Sequence, residues 1–240
     1  VRDQAGIAAD HIGYEQVALT AVMTTQRFHD YVAYERFTEE GPIAILPLSD
    51  GRCGMVWTRK PAEVERMLAL SDDEFLREFQ SAFGFRLGRF LRIGQRASYN
   101  LMLSRADRHI AQRLAVVGNA AQGLHPIAGQ GFNLGLRDAM SLAEVIADRR
   151  VAGTMDPGDA SLLQDYAEWR ETDRRRIVAF TDGLVRLFAT PLGVLRSLRS
   201  LGILAFDVLP PAKSALARLS VGAAERVPRL ARGVPLAGIR

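Results

Sequence analysis

Cysteine is nearly missing from this chain of 240 residues: Cys53 stands alone, which excludes an internal disulfide and suits a reducing cytoplasm. It sits in an apolar, strand-like run and reads as core filler, not as a nucleophile. No apolar run reaches the roughly 18 residues that a membrane-crossing helix needs. The opening Val1-Arg2-Asp3-Gln4 has no basic stretch ahead of an apolar core, so no signal peptide is expected. His11, His29, His109 and His125 fall at no metal-ligand spacing, and no metal is expected. Internal repeats and low-complexity tracts are also missing.

What is present is an ordinary globular composition, 48% hydrophobic and 24% charged, long enough for a real core. The net charge of +4 conceals an asymmetry. Arg174 to Arg240 holds 12 Lys+Arg against 3 acidic residues, a balance of +9, which leaves −5 for the rest of the chain. A basic tail on an acidic body suits an anionic surface. No nucleic-acid-binding motif accompanies it, so phospholipid is the expected partner and nucleic acid is not. The run Arg174-Arg175-Arg176 by itself reads first as a solvated helix face. From Leu184 to Arg199, apolar residues interleave with Arg186, Arg196 and Arg199. That pattern suits a membrane-surface helix, although buried packing explains its apolar part equally well.

The first hundred residues read mostly as strands at Gln16–Thr25, Tyr31–Thr38, Ile43–Leu48 and Cys53–Thr58. Glu40-Gly41-Pro42 and Ser49-Asp50-Gly51 are turn signals between them, and an antiparallel meander is expected. Pro61 opens a helical stretch, and Ser71-Asp72-Asp73-Glu74 is a capping box for a helix that buries Phe75, Leu76, Phe79 and Phe83 and stops at Gly84. Another extended stretch runs from about Arg89 to Leu101. At Arg113 the style changes: Leu114-Ala115-Val116-Val117 reads as a strand of a covered parallel sheet. A Gly-rich loop from Gly118 to Gly131 follows, then a helix from about Phe132 to Arg149, a linker at Val151–Gly158 and a long helix from Asp159 to Ala189. Shorter helices broken at Pro210-Pro211 and a frayed final dozen residues complete the expectation.

The chemistry lies in Gly118-Asn119-Ala120-Ala121-Gln122-Gly123-Leu124-His125-Pro126-Ile127-Ala128-Gly129-Gln130-Gly131-Phe132-Asn133-Leu134-Gly135-Leu136-Arg137-Asp138-Ala139. Glycines let a backbone approach a flat ligand, and the helix that follows points its free N–H groups and positive dipole end at the loop. A polyanion or an electron-rich ring edge could sit there. The spacing is neither a phosphate-binding Walker loop nor the three-glycine dinucleotide fingerprint. His125 has no partner at metal spacing and reads as structural before it reads as a base. Trp57 and Trp169 read as packing residues, and Arg137-Asp138 as an exposed or interdomain pair.

This run resembles the second flavin motif of the class A FAD-dependent aromatic monooxygenases, in the form typical of the ubiquinone-biosynthesis branch. Tyr34-Glu35-Arg36-Phe37-Thr38, Gly41–Leu48 and Val56-Trp57-Thr58 are similar to the substrate-domain sheet of that branch. Asn119 stands where many members of the wider family carry Asp. The resemblance implies an α/β fold of para-hydroxybenzoate hydroxylase type (α+β within this stretch), with an antiparallel substrate-domain sheet over 1–112, the C-terminal part of the FAD domain over 113–150 and a helical region over 151–240. It implies FAD as cofactor and NAD(P)H as reductant. Gly118 and Asn119 would lie by the ribityl or pyrophosphate part, and Gly129, Gln130, Gly131, Phe132 and Asn133 around the pyrimidine edge of the flavin ring. Pro126, the one residue with an implied catalytic role, would also border the flavin and turn a backbone carbonyl toward the reacting site.

The family's glycine-rich dinucleotide-binding start does not occur in this sequence, and Val1-Arg2 is similar to the end of a later family motif. The chain is therefore expected to begin mid-protein and to be inactive alone. The implied activity is hydroxylation of a polyprenylated phenol, in the cytoplasm at the inner membrane, with a ubiquinone-biosynthesis complex and the membrane surface as partners. The alternative is a non-catalytic scaffold or lipid-binding module derived from such an enzyme; a reductase or halogenase of the same fold is a third option.

Overall fold

The structure, a computed structural model, describes residues 2–38, 40–153, 156–189, 208–220, 222 and 226–237. It divides into two units, one formed by Val1–Ile12, Leu103–Leu184 and the residues from Leu192 on, the other by Gly13–Met102 with Val185–Pro191.

The second of these is a sheet covered by two helices. Its strands are β1 (Ala9–Thr25, which enters from the other unit), β2 (Tyr34–Thr38), β3 (Gly41–Pro47), β4 (Arg52–Arg59), β5 (Phe90–Ile93) and β6 (Ala97–Ala106, which leaves it). The order is β2-β3-β4-β1-β6, with β5 also paired to β1. Register follows the period-2 apolar pattern. Leu19 faces Trp57, Ala21 faces Met55 and Met23 faces Cys53 across β1 and β4, while Ile43 and Ile45 of β3 face Trp57 and Met55. All of these side chains are buried, so a slip of one residue would turn the whole set outward. The runs Tyr34–Thr38, Gly41–Leu48 and Val56–Thr58 thus belong to three neighbouring antiparallel strands.

Against that face lie α1 (Pro61–Ala69) and α2 (Asp72–Phe83). The expected capping box is present: Ser71 Oγ accepts from the Glu74 amide and Glu74 accepts from the Ser71 amide. Phe75, Phe79 and Phe83 lie four residues apart, so one helix face presents all three to the sheet. Phe79 meets Trp57 edge-on at 5.2 Å and Phe90 at 4.8 Å.

The other unit holds a hairpin of β7 (Ile110–Ala111) and β8 (Leu114–Ala115), then β9 (Gln122–Gly123), α3 (Gln130–Val151), α4 (Ala160–Ala189) and α5 (Pro210–Ser220). β9 pairs antiparallel with the end of β6, Gln122 opposite Arg105. α3 and α4 pack through Val145, Leu162, Leu163 and Tyr166.

Three local expectations are corrected. Among the described residues Leu114–Val117 pairs with no parallel strand: only Leu114 and Ala115 lie in a ladder, and they pair antiparallel with Ile110 and Ala111. A tight turn with Arg113 at φ 58 closes that hairpin, and apolar content alone does not encode strand direction. β2 begins at Tyr34, not Tyr31, because Asp30 and Tyr31 have φ of 47 and 59, which no strand accommodates. Within the described part of the last dozen residues the expected fraying is corrected, since Leu230–Arg232 forms a 3-10 turn anchored by Arg229; residues 238–240 lie outside the described residues. The side chains of the amphipathic run beyond Leu184 lie outside the described residues.

Two substitutions separate the contributions to the sheet unit. Phe79→Ala removes the ring at the centre of the aromatic cluster and should cost about 3–5 kcal/mol. Ser71→Ala removes only the cap and should cost about 1 kcal/mol. Urea unfolding of the two variants should show that order.

Candidate functional site

Between β8 and α3 the chain makes a 3-10 turn at Gly118–Ala120, the short β9, and a second 3-10 turn at Ile127–Gly129 that feeds directly into α3. Gly118 has φ 59 and Gly129 φ 61, left-handed values that side chains resist. A Cβ on Gly135 would lie 3.0 Å from the Gly118 Cα, so the first turn rests backbone-to-backbone on the second turn of α3. No side chain caps α3 and no acidic residue occupies its first turn. A Cβ added at Gly129 or Gly131 would meet nothing within 4 Å. The result is a helix start without a side-chain N-cap, with open space beside its glycines. Such a start favours negative charge or an electron-rich ring edge.

The residues singled out from sequence all fall on this segment. Gly118 and Asn119 sit in the turn that leans on α3, Pro126 opens the second turn with an exposed ring, and Gly129 to Asn133 form the helix start. Phe132 is 78% exposed, whereas Gln130 is buried within the protein.

Beneath the loop lies a group of charges that sequence reading did not find. Asp138 is wholly buried and accepts from Gln122 Nε2 at 2.8 Å and from the Gly118 amide at 3.4 Å. Its other oxygen takes Arg170 Nε at 2.8 Å, with Arg174 at 3.4 Å. Asp173 in turn takes Arg137 Nε at 2.9 Å and Arg170 at 2.7 Å. Arg174 also donates to the Tyr166 hydroxyl at 2.7 Å, and burial pushes that phenol's pKa up. Arg137 and Asp138, expected as an exposed or interdomain pair, are therefore corrected to interior residues paired within one unit, and Arg174 is likewise buried; Arg175 and Arg176 remain exposed. The signal was available in the spacing: 134, 138, 141 and 145 share one helix face, and 170, 173 and 174 share another.

His125 is buried and desolvation lowers its pKa to about 4, which makes it a weak base near neutrality and fits the structural reading. His109 is likewise lowered to about 4, by burial first and the Arg174 charge second. It lines a cavity of about 570 Å³ with Arg105, Gln122 and Arg174 on its walls. Asp10, Asp107, Glu171 and Asp182 also line that cavity, so the charges there offset one another. Among the described residues, no cluster of three His, Cys, Asp or Glu is placed to hold a metal, and no helix is long and apolar enough to cross a membrane.

Part of the basic tail is occupied within its own unit. Arg229 forms a two-pronged pair with Asp148 at 2.8 Å while its amide donates to Glu144 at 2.6 Å. Arg226 pairs with Glu144 at 3.0 Å and stacks on Trp169 at 3.9 Å.

Comparison with known proteins agrees with this geometry. A family model described as an FAD binding domain matches residues 1–181. The ubiquinone hydroxylase UbiL of Rhodospirillum rubrum is 41% identical over 240 residues, covering 98% of this chain and 56% of that relative. A ubiquinone biosynthesis monooxygenase, mitochondrial COQ6 of Caenorhabditis elegans, is 30% identical, covering 90% of this chain and 56% of that relative. The chain thus spans just over half the length of these curated relatives. Among solved structures, p-nitrophenol 4-monooxygenase PnpA of Pseudomonas putida shares the fold with a TM-score of 0.69 at 18% identity, covering 94% of this chain and 57% of that one. An aromatic hydroxylase, CabE, shares it with a TM-score of 0.63 at 20% identity, covering 94% of this chain and 45% of that one. The α/β fold of para-hydroxybenzoate hydroxylase type is thereby established for this chain.

Asp138→Ala should cost about 3–5 kcal/mol in urea unfolding, because it leaves buried guanidinium groups without their counter-charge. The two histidines give a second expectation. Their folded pKa of about 4 lies below the ordinary 6.5, so between those values the unfolded chain takes up protons that the folded chain refuses. Stability is then complete above about pH 6.5 and falls as the pH drops toward 4. Thermal melting across that window should show the loss, and His125→Gln should reduce it while His109 keeps its share.

Proposed function

Because this chain belongs to the FAD binding domain family, we propose that it carries the flavin-ring side of an FAD-dependent monooxygenase that hydroxylates a polyprenylated phenol in ubiquinone biosynthesis. The observation that carries this reading is the uncapped, glycine-flanked start of α3. The two relatives compared above, one named a ubiquinone hydroxylase and one a ubiquinone biosynthesis monooxygenase, support the substrate class. The pattern of the loop from Gly118 to Gly135 most resembles 2-octaprenyl-6-methoxyphenol hydroxylase within that branch.

The residues present fit the cofactor. FAD, when bound and reduced by NAD(P)H, supplies the redox and oxygen chemistry. The chain's part is electrostatic and positional. Amides at Gly129–Asn133, aligned by a helix of 22 residues, stabilise negative charge on the ring's pyrimidine edge. Gly129 and Gly131 leave the ring room to approach. Gly118 and Asn119 approach the ribityl or pyrophosphate part, where the exposed Asn119 amide can hydrogen-bond a hydroxyl without adding charge. Pro126 directs its carbonyl at the phenol. Asp138 acts at one remove: by holding the Gly118 amide and Gln122 to α3, it fixes the turn against the helix start. The enzyme would work at the inner membrane, within a biosynthetic complex.

Gly131→Leu tests the reading. The glycine has no left-handed φ and its Cβ direction is open, so folding should be unchanged or slightly improved. Purified at its natural full length, the protein should show bound-flavin absorbance and convert a polyprenylated phenol to a product with one added oxygen. The variant should melt as the flavin-stripped parent does while losing most of its flavin. A well-folded full-length parent without flavin would leave the scaffold reading instead.

A further inference from the structure

At one end of the sheet, three turns meet. β1 leaves at Thr25 into residues 26–33, β3 passes to β4 through Ser49–Gly51, and β5 enters at Phe90 opposite Thr25. The turns are tied together: the Gln26 and Arg27 amides donate to the carbonyls of Arg89 and Leu87. His29 is buried between two of them, accepting from the Tyr31 amide and bonding the Leu48 carbonyl at 3.1 Å. This rigid base holds apolar groups out in solvent. Tyr31 is 82% exposed, Phe85 65% and Phe28 51%, with Val32 and Leu48 beside them. Asp30 and Tyr31 both take left-handed φ, which places the Tyr31 ring edge-on to those of Phe28 and His29, 5.6 Å from each, with most of its surface still in solvent.

Charge supplies the second observation. Arg27, Arg52, Arg86 and Arg89 belong to these same turns, against Asp30 and Asp50, for a net charge of +2. Exposed aromatic rings interleaved with arginines match the headgroup region of an anionic bilayer, where rings sit at the boundary and guanidinium groups meet phosphates. We propose that this end of the sheet is a peripheral docking surface for an anionic phospholipid bilayer, with Phe28, Tyr31 and Phe85 as the inserted side chains. Arg52 is paired with Asp50 at 3.2 Å, which leaves Arg27, Arg86 and Arg89 to meet the headgroups; in the basic C-terminal region Arg226 and Arg229 are paired with Glu144 and Asp148. The docking surface does not depend on the flavin reading.

The test is flotation of the full-length protein with vesicles of phosphatidylcholine alone or mixed with phosphatidylglycerol. Parent protein should float with the mixed vesicles and not with the neutral ones, and added salt should weaken the binding. Tyr31→Ser combined with Phe85→Ser should reduce binding by about tenfold or more, with unchanged thermal melting. Arg27→Glu with Arg89→Glu should reduce it likewise. Because multiple variants can disturb the turns, Tyr31→Trp provides a gentler readout: its added fluorescence should shift to the blue on mixed vesicles and be quenched by brominated acyl chains. Binding that survives both variant pairs would overturn the proposal, as would an added indole fluorescence in the Tyr31→Trp variant that is indifferent to lipid. Concentration-dependent self-association abolished by the same variants, with no vesicle binding, would assign the surface to a second copy of the chain and overturn it too.

Discussion

The carboxylate of Asp138 is where the helical unit is held together. One oxygen faces the loop, through Gln122 and the Gly118 amide, and the other faces α4, through Arg170 and Arg174. An apolar contact in its place could slide; a buried carboxylate with directed partners on both sides has one low-energy arrangement. Asp173 extends the constraint by joining Arg137 of α3 to Arg170 of α4. The geometry of the glycine loop is thus set from below by charges that need not touch any ligand.

That arrangement divides the labour between the two units. The sheet unit is organised by apolar alternation and by aromatic rings meeting at angles, a mode in which any well-shaped hydrophobic side chain contributes. The helical unit commits the inner face of α3 to Arg137, Asp138, Ser141 and Glu144, all buried. Beside these polar groups, Val145 of α3 packs on Leu162, Leu163 and Tyr166 of α4. The flavin-family loop therefore rests on the part of the molecule least tolerant of a changed charge.

Legibility in the sequence followed the same division. The meander, the Pro61 start, the capping box at Ser71 and the Phe75–Phe83 face could be read because each depends on neighbours close in the chain. The loop from Gly118 to Asn133 could be read because its glycines and following helix are contiguous. The charge network could not: Asp138 meets Arg170 from 32 positions away, and a charged residue on a helix is ordinarily taken as solvated. Leu114–Val117 misled for a related reason, since four apolar residues do not say which strand lies beside them or in what direction. Asp30 and Tyr31 have left-handed backbones that no composition rule assigns to such residues.

Cys53 gains a use from its surroundings. Its side chain is fully buried in β4 opposite Met23, and burial raises the pKa of its thiol. A thiol so placed reacts with a soluble reagent only when the core between the sheet and its two helices opens. The chain therefore contains an intrinsic clock: the rate at which Cys53 is labelled reports how often that core opens, at the one cysteine of this sequence.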